Sequence, residues 1–233
     1  MTFFKNLLLS IKGAIIRRVI KKQLNNEFLG SDFGFSRGCP VDRFYIDQFF
    51  NSHRGVVTGV CLEFGDTSYI KKYGNAVSGK YTFNYSKDCS MTGYQLVGDV
   101  SKVEELPCEM FDCIVCVNVL NFIYDSLSSL RGLKKLLKPG GQIILTLAGT
   151  SAHISRYDMD RWGDYWRMTD KAAIKLAEQA GFQVLKVKTY GNPYACSAQL
   201  NGFSVEDLTY EKILPSHPDY QLVVGLLLTK KTR

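Results

Sequence analysis

Apolar residues in this chain gather into short, nearly unbroken runs separated by stretches with helical spacing. Val60–Phe64 closes on Glu63 and Gly65, Cys113–Val117 is continuously apolar, and Gln142–Leu147 follows suit, as strands buried on both faces do. Tyr81, Phe83 and Tyr85 alternate with polar residues and predict a more exposed strand, and Gln95–Gly98 predicts another that ends at Asp99. After a loop marked by Gly38 and Pro40, the chain from Val41 onward reads as a helix. Leucines recur at helical spacing from Asp125 to Lys138, where Lys-Pro-Gly-Gly (138–141) stops the helix. A further helix, Asp170–Ala180, is capped by Thr169 and closed by Gly181, and strands at Gln183–Tyr190 and Gln221–Leu228 complete the pattern. Strands alternating with helices imply an α/β fold, doubly wound, with a mostly parallel sheet and helices on both faces.

At 233 residues and 45% hydrophobic content, the chain can bury one full core, so residues 33–233 read as one domain and 1–32 as an extension. The seven cysteines are odd in number and irregular in spacing, and Cys113 and Cys116 would point to opposite faces of one strand. That argues against a zinc or redox site and suits a reducing, cytoplasmic setting. The formal charge of +7 lies at the ends: residues 1–22 hold Lys5, Lys12, Arg17, Arg18, Lys21 and Lys22 without an acid, and Lys230, Lys231 and Arg233 close the chain. Removing these nine cations leaves residues 23–229 at −2, so a basic groove for nucleic acid is not indicated. Phe3, Phe4, Leu7, Leu8, Ile11, Ile15 and Val19 form an imperfect apolar stripe in the extension, interrupted by Arg18. Such a basic amphipathic helix packs on the body or on a partner, or attaches peripherally to an anionic membrane.

In doubly wound sheets, ligands gather beyond the carboxyl ends of the strands. Three acids, Glu63, Asp88 and Asp99, sit at or just past those ends. A dinucleotide site would need a G-x-G-x-x-G turn so that pyrophosphate can approach backbone amides. Here the turn reads LEFGDTSY (62–69), with Gly65 alone. One glycine among several acids favours a cationic, hydroxylated ligand over a phosphate.

The succession of E-x-G, an acid after the second strand, Gly-Asp after the third, FDCIVCVNVLNFIYD (111–125) and LLKPGGQIIL (136–145) resembles the class I S-adenosylmethionine-dependent methyltransferases. With RGCPVDRFYI (37–46) and RYDMDRWGDYWRMT (156–169), the chain is more closely similar to a bacterial subfamily associated with glycosyltransferases and surface-polysaccharide biosynthesis. This resemblance covers residues 33 to 228. It implies a Rossmann-like sheet of seven strands with an antiparallel last strand, and S-adenosyl-L-methionine as cofactor. It also implies that Glu63, Phe64, Gly65 and Asp66 form the turn beside the methionine part, that Asp88 meets the ribose, and that Asp99 and the Val100 amide meet the adenine. Asn118 would face the sulfonium. Arg43 would pair with the cofactor carboxylate and Tyr45 cover it, although a salt bridge at the helix start accounts for Asp42 and Arg43 as well.

DMDRWGDYWRMT (158–169) holds both tryptophans of the chain. It follows the fifth strand, where this fold builds its acceptor pocket. Methyl transfer is an in-line displacement, so the protein must align donor and acceptor and keep water away. Arg161, Trp162, Tyr165 and Trp166 suit a sugar ring or planar acceptor. A hydroxyl nucleophile needs a base, for which Asp160, Asp164 and His153 are the candidates, with Asp158 beside them. The competing reading is a structural knot of Arg–Asp pairs and packed tryptophans. The function implied is O-methylation of a saccharide or glycolipid precursor. Methylation of another small molecule, or a non-catalytic subunit docked to a glycosyltransferase through residues 1–22, stands beside it.

Overall fold

A computed structural model describes residues 29, 32–86 and 93–231. Seven strands form one sheet: β1 (Gly59–Phe64), β2 (Val77–Asn84), β3 (Tyr94–Val97), β4 (Phe111–Val117), β5 (Leu137–Ala148), β6 (Gln183–Tyr190) and β7 (Val223–Thr229). Their order is β3-β2-β1-β4-β5-β7-β6. The first five pair in parallel, whereas β7 inserts antiparallel between β5 and β6. This is the seven-stranded sheet with an antiparallel last strand that the sequence implies.

The unbroken apolar runs are explained by burial on both faces. In β1 and β4, Leu62, Ile114 and Cys116 join one core, under helices α3 (Ser126–Leu136) and α5 (Asp170–Gln179). Cys61, Cys113 and Val115 join the other, under α1 (Val41–Asn51) and α6 (Pro193–Leu200). Cys113 and Cys116 thus face opposite layers. Short helices α2 (Ser68–Tyr73), α4 (Arg156–Trp162) and α7 (Tyr210–Ile213) complete the fold.

Two local features aim the site. Gly132 in α3 lies against the turn after β3, and a Cβ there would collide with the Val100 carbonyl, so a larger residue would push the helix off the Asp99–Val100 turn. Gly65 follows β1 at φ +81° with open space where a side chain would stand, a backbone region that glycine enters without steric cost.

Three readings are corrected. Lys138–Gly141 does not separate helix from strand: β5 already begins at Leu137, which pairs with Phe111. Residues 156–162, where no helix was predicted, form α4. The last strand begins at Val223 rather than Gln221. Of the extension at 1–32, all but Leu29 and Asp32 lies outside the described residues, as does Asp88. Among the described residues, no helix is long and apolar enough to cross a membrane, and no three potential ligands cluster for a metal.

Candidate active site

A cavity of about 1340 Å³ opens beyond the carboxyl ends of β1, β3, β4 and β5. Pockets for one small ligand usually occupy about 300–1,000 Å³, so there is room for two. Its walls differ in construction.

The first wall comes from the turns after β1, β3 and β4. Phe64 and Gly65, Asp99 and Val100, and Asn118 all line it. Asp99 accepts from the Ser101 amide at 2.9 Å and hydroxyl at 2.7 Å through one oxygen, which holds its carboxylate at the strand end. Asn118 sits at φ +51°, anchored by its amide to the Thr146 carbonyl at 2.9 Å.

Glu63 and Asp66 do not line the cavity. Asp66 accepts from the Ser68 amide at 2.7 Å. Glu63 is 3% exposed and accepts from the amides of Tyr69 at 3.0 Å and Ile70 at 2.8 Å, capping α2 from beneath. Burial pushes its carboxyl up to about 7, against the pull of those amides. The acid of the first motif therefore acts indirectly, by holding the helix that follows Gly65.

Arg43, in the first turn of α1, lines the cavity next to Asp42. Tyr45 does not. It is fully buried, stacks on Tyr190 and donates its hydroxyl to the Ile213 carbonyl at 2.6 Å. Two residues along a helix turn the side chain by about 200°, so Arg43 and Tyr45 cannot face the same way.

The second wall is the stretch from Ala152 to Arg167. Asp164 has no exposed side-chain surface and is gripped by the Arg167 guanidinium at 2.6 and 2.7 Å, with the Ser155 amide donating at 2.9 Å. Burial alone would raise its pKa, but the Arg167 fork and the Ser155 amide carry it below the usual carboxylate value. Arg167 also donates to the carbonyls of Ala152 at 3.0 Å, His153 at 2.7 Å and Trp166 at 2.9 Å. This is the structural knot, and it leaves Asp164 committed to holding the wall. Arg167 was not singled out in the sequence, although it sits in the same dense motif.

Asp160 points away: its side chain is 67% exposed, 3.9 Å from Arg156, and does not line the cavity. Asp158, two residues earlier on α4, does line it, bound to the Ser155 hydroxyl at 2.6 Å. His153 lines it too, edge-on to Phe33 at 4.2 Å, with Nδ1 buried and without a partner. Burial and Arg167 lower its pKa, against the opposing charges of Asp42 and Asp164.

Aromatic rings form the mouth. Trp162 meets Tyr85 edge-to-face at 6.3 Å, and Tyr165 meets Tyr124 at 5.5 Å; all four line the cavity and are 51% to 70% exposed. Arg161 lines it as well, its guanidinium 3.4 Å over the Tyr157 ring. Trp166 lies behind, donating to the Tyr124 carbonyl at 3.0 Å. Tyr85 and Tyr124 carried no sequence signal beyond being aromatic.

Residues 48–145 match the family model of a methyltransferase domain. An S-adenosylmethionine-dependent methyltransferase from Mesorhizobium loti is 12% identical with a TM-score of 0.52, over 81% of this chain and 97% of that one. The N-methyltransferase NodS from Bradyrhizobium japonicum WM9, solved with S-adenosyl-L-homocysteine, is 14% identical with a TM-score of 0.53, over 92% and 97% of the two chains. The [4+2]-cyclase SpnF is 17% identical with a TM-score of 0.54, over 90% and 88%. No curated protein matches the sequence. Residues 48–145 thus resemble a methyltransferase domain, and the chain shares the fold of these S-adenosylmethionine-dependent methyltransferase structures.

Proposed function

We propose that this domain uses S-adenosylmethionine to methylate an oxygen of a saccharide or glycolipid precursor. The observation that carries the reading is a single cavity with two unlike walls: one of strand-end turns, the other of aromatic rings. The first wall fits the cofactor. Asp99 offers a carboxylate for a nucleoside, Gly65 lets a ligand approach the backbone closely, and Asn118 stands at the end of β4. When bound, S-adenosylmethionine supplies an electrophilic methyl on a sulfonium.

Of the three candidate bases, His153 is the one whose placement suits the work. Its lowered pKa keeps the imidazole neutral near pH 7, free to take a proton from an acceptor hydroxyl. Asp164, through Arg167, holds the backbone on which His153 stands. Trp162, Tyr165 and Arg161 present ring faces and donors at the mouth, a surface suited to a sugar ring. The saccharide assignment draws further on the sequence resemblance. Peripheral contact of residues 1–22 with a membrane or a glycosyltransferase rests on the sequence alone.

Titration calorimetry with S-adenosylmethionine and S-adenosylhomocysteine tests the cofactor half: each should bind one per chain, and Asp99→Ala should weaken binding about tenfold or more. Absence of binding by the wild type would overturn the reading. Methyl incorporation into nucleotide sugars or lipid-linked glycans tests the acceptor; incorporation only into other small molecules would refute the saccharide assignment.

A further inference from the structure

Among the described residues, three buried side-chain atoms have no hydrogen-bond partner: Asp42 Oδ1, Asn121 Oδ1 and His153 Nδ1. All three belong to residues that line the cavity. Buried polar atoms are ordinarily paired, so orphans gathered around one cavity mark places where a ligand brings the partner. Asn121 is the one whose surroundings say what that partner is.

Asn121 stands where the two walls join. It lies in the short turn Leu120–Phe122 that follows β4, just after Asn118 of the first wall. Its backbone carbonyl accepts from the amides of Tyr165 at 2.8 Å and Trp166 at 3.3 Å, which ties the aromatic wall to the end of β4. The residue is 5% exposed, and its side chain reaches Asp164 Oδ1 through Nδ2 at a long 3.5 Å. An ionised carboxylate only accepts, so the amide must turn its nitrogen towards Asp164 and its oxygen away. Oδ1 is then an acceptor for which the described residues hold no donor. The charge of Asp164 is already matched by Arg167 at 2.6 Å, so that acid has none left to balance an ammonium beside the amide. A neutral hydroxyl fits the place.

The same ion pair also carries His153, whose carbonyl accepts from Arg167 at 2.7 Å. Asn121 and His153 are therefore fixed to one rigid unit, and an acceptor that meets both must present two polar groups.

We infer that Asn121 selects acceptors bearing a second hydroxyl: Oδ1 accepts a hydrogen bond from that hydroxyl while His153 faces the one that is methylated. The held hydroxyl keeps its proton and takes no part in the transfer. This rests on the O-methylation reading above. It adds a specificity-determining residue at the junction of the walls and narrows the acceptor to a diol or polyol.

Two measurements on the full chain test it. The first needs no acceptor: Asn121→Leu replaces the amide with an apolar side chain of the same branching, which removes the unpaired carbonyl. Its melting temperature should stay at or above the wild-type value, and its affinity for S-adenosylhomocysteine should stay within about twofold. A fall of more than about 5 °C would show that the amide is paired within the folded protein, and would overturn the inference. The second measures methyl transfer to UDP-glucose and GDP-mannose, and to forms of each lacking one hydroxyl. In the wild type, loss of one particular non-reacting hydroxyl should lower kcat/KM about 10- to 100-fold, because the site's acceptor is left unpaired. Asn121→Leu should lower kcat/KM for the parent sugar by a similar factor and treat parent and deoxy forms alike within about twofold. A variant that still discriminates between them as the wild type does overturns the inference. Wild-type protein that binds S-adenosylhomocysteine but methylates neither sugar would instead count against the saccharide reading, and the melting comparison would still decide whether Asn121 is held for a ligand.

Discussion

Glu63 and Asp164 are both shut from solvent, each bound by backbone amides, and each pins one wall of the same cavity. Their acidities move in opposite directions. Glu63 is pushed up to about 7, because burial outweighs the amides of Tyr69 and Ile70 and the Ser68 hydroxyl, all neutral donors. Burial acts on Asp164 too, but there a full positive charge sits in the fork of Arg167 and the balance tips the other way. The contrast separates two kinds of acid in a cavity wall. Glu63 and Asp164, fully surrounded, hold the walls in place, whereas the partly exposed Asp42, Asp99 and Asp158 line the cavity itself.

The sharpest way to break the comparison is to remove the charge that makes Asp164 different. Arg167→Ala would strand a buried carboxylate and free three backbone carbonyls, and should cost about 3–5 kcal/mol in denaturant unfolding. Adding Asp164→Ala should recover part of that loss, since the stranded charge is then gone. The pair's contribution has a definite pH window. Because Asp164 titrates below its unfolded value, the stabilisation is complete above about pH 4 and drains as the pH falls through the lowered value. A loss under about 1 kcal/mol for Arg167→Ala would mean that the knot does not hold the wall.

Glu63 should show the opposite slope and a smaller effect. Its folded pKa of about 7 exceeds the ordinary 4.5, so the folded state keeps a proton that the unfolded state releases. Stability should therefore decline as pH rises between those values, by at most on the order of 3 kcal/mol. Glu63→Gln keeps the neutral shape and should flatten the decline, so that the two stability curves draw apart as the pH rises, the variant losing less. Parallel curves from pH 5 to 8 would show that Glu63 is ionised throughout, and the contrast with Asp164 would collapse.

Much of this was legible in the sequence, and the exceptions share physical causes. Strands buried on both faces announce themselves as unbroken apolar runs, so β1, β4 and the inner part of β5 were readable without tertiary information. Lys138–Gly141 resembles a helix stop in isolation, yet pairing of Leu137 with Phe111 starts β5 before it. α4 has no buried residue and hence no apolar periodicity to detect; the Ser155 cap and Gly163 delimit it. Among site residues, Gly65, Asp99, Val100, Asn118 and Arg43 all reach the cavity. Tyr45 and Asp160 fail for one reason: each lies two positions along a helix from a cavity residue and is therefore turned to the other side. Arg167 escaped notice because a guanidinium that satisfies five carbonyl and carboxylate contacts leaves no mark in composition.

That geometric reason yields the smallest expected effect. If α4 presents Asp158 to the cavity, Asp160 is held in solvent by nothing more than an ion pair to Arg156 at 3.9 Å, with both side chains about two-thirds exposed or more. Such exposed pairs contribute within about 0.5 kcal/mol. Asp160→Ala should thus leave unfolding midpoint, S-adenosylhomocysteine affinity and any methyl transfer activity essentially at wild-type values. A drop in turnover beyond about threefold, at unchanged stability, would return Asp160 to the reacting wall. The helix would then have to sit rotated by about half a turn from the orientation that puts Asp158 on the cavity and Trp162 against Tyr85.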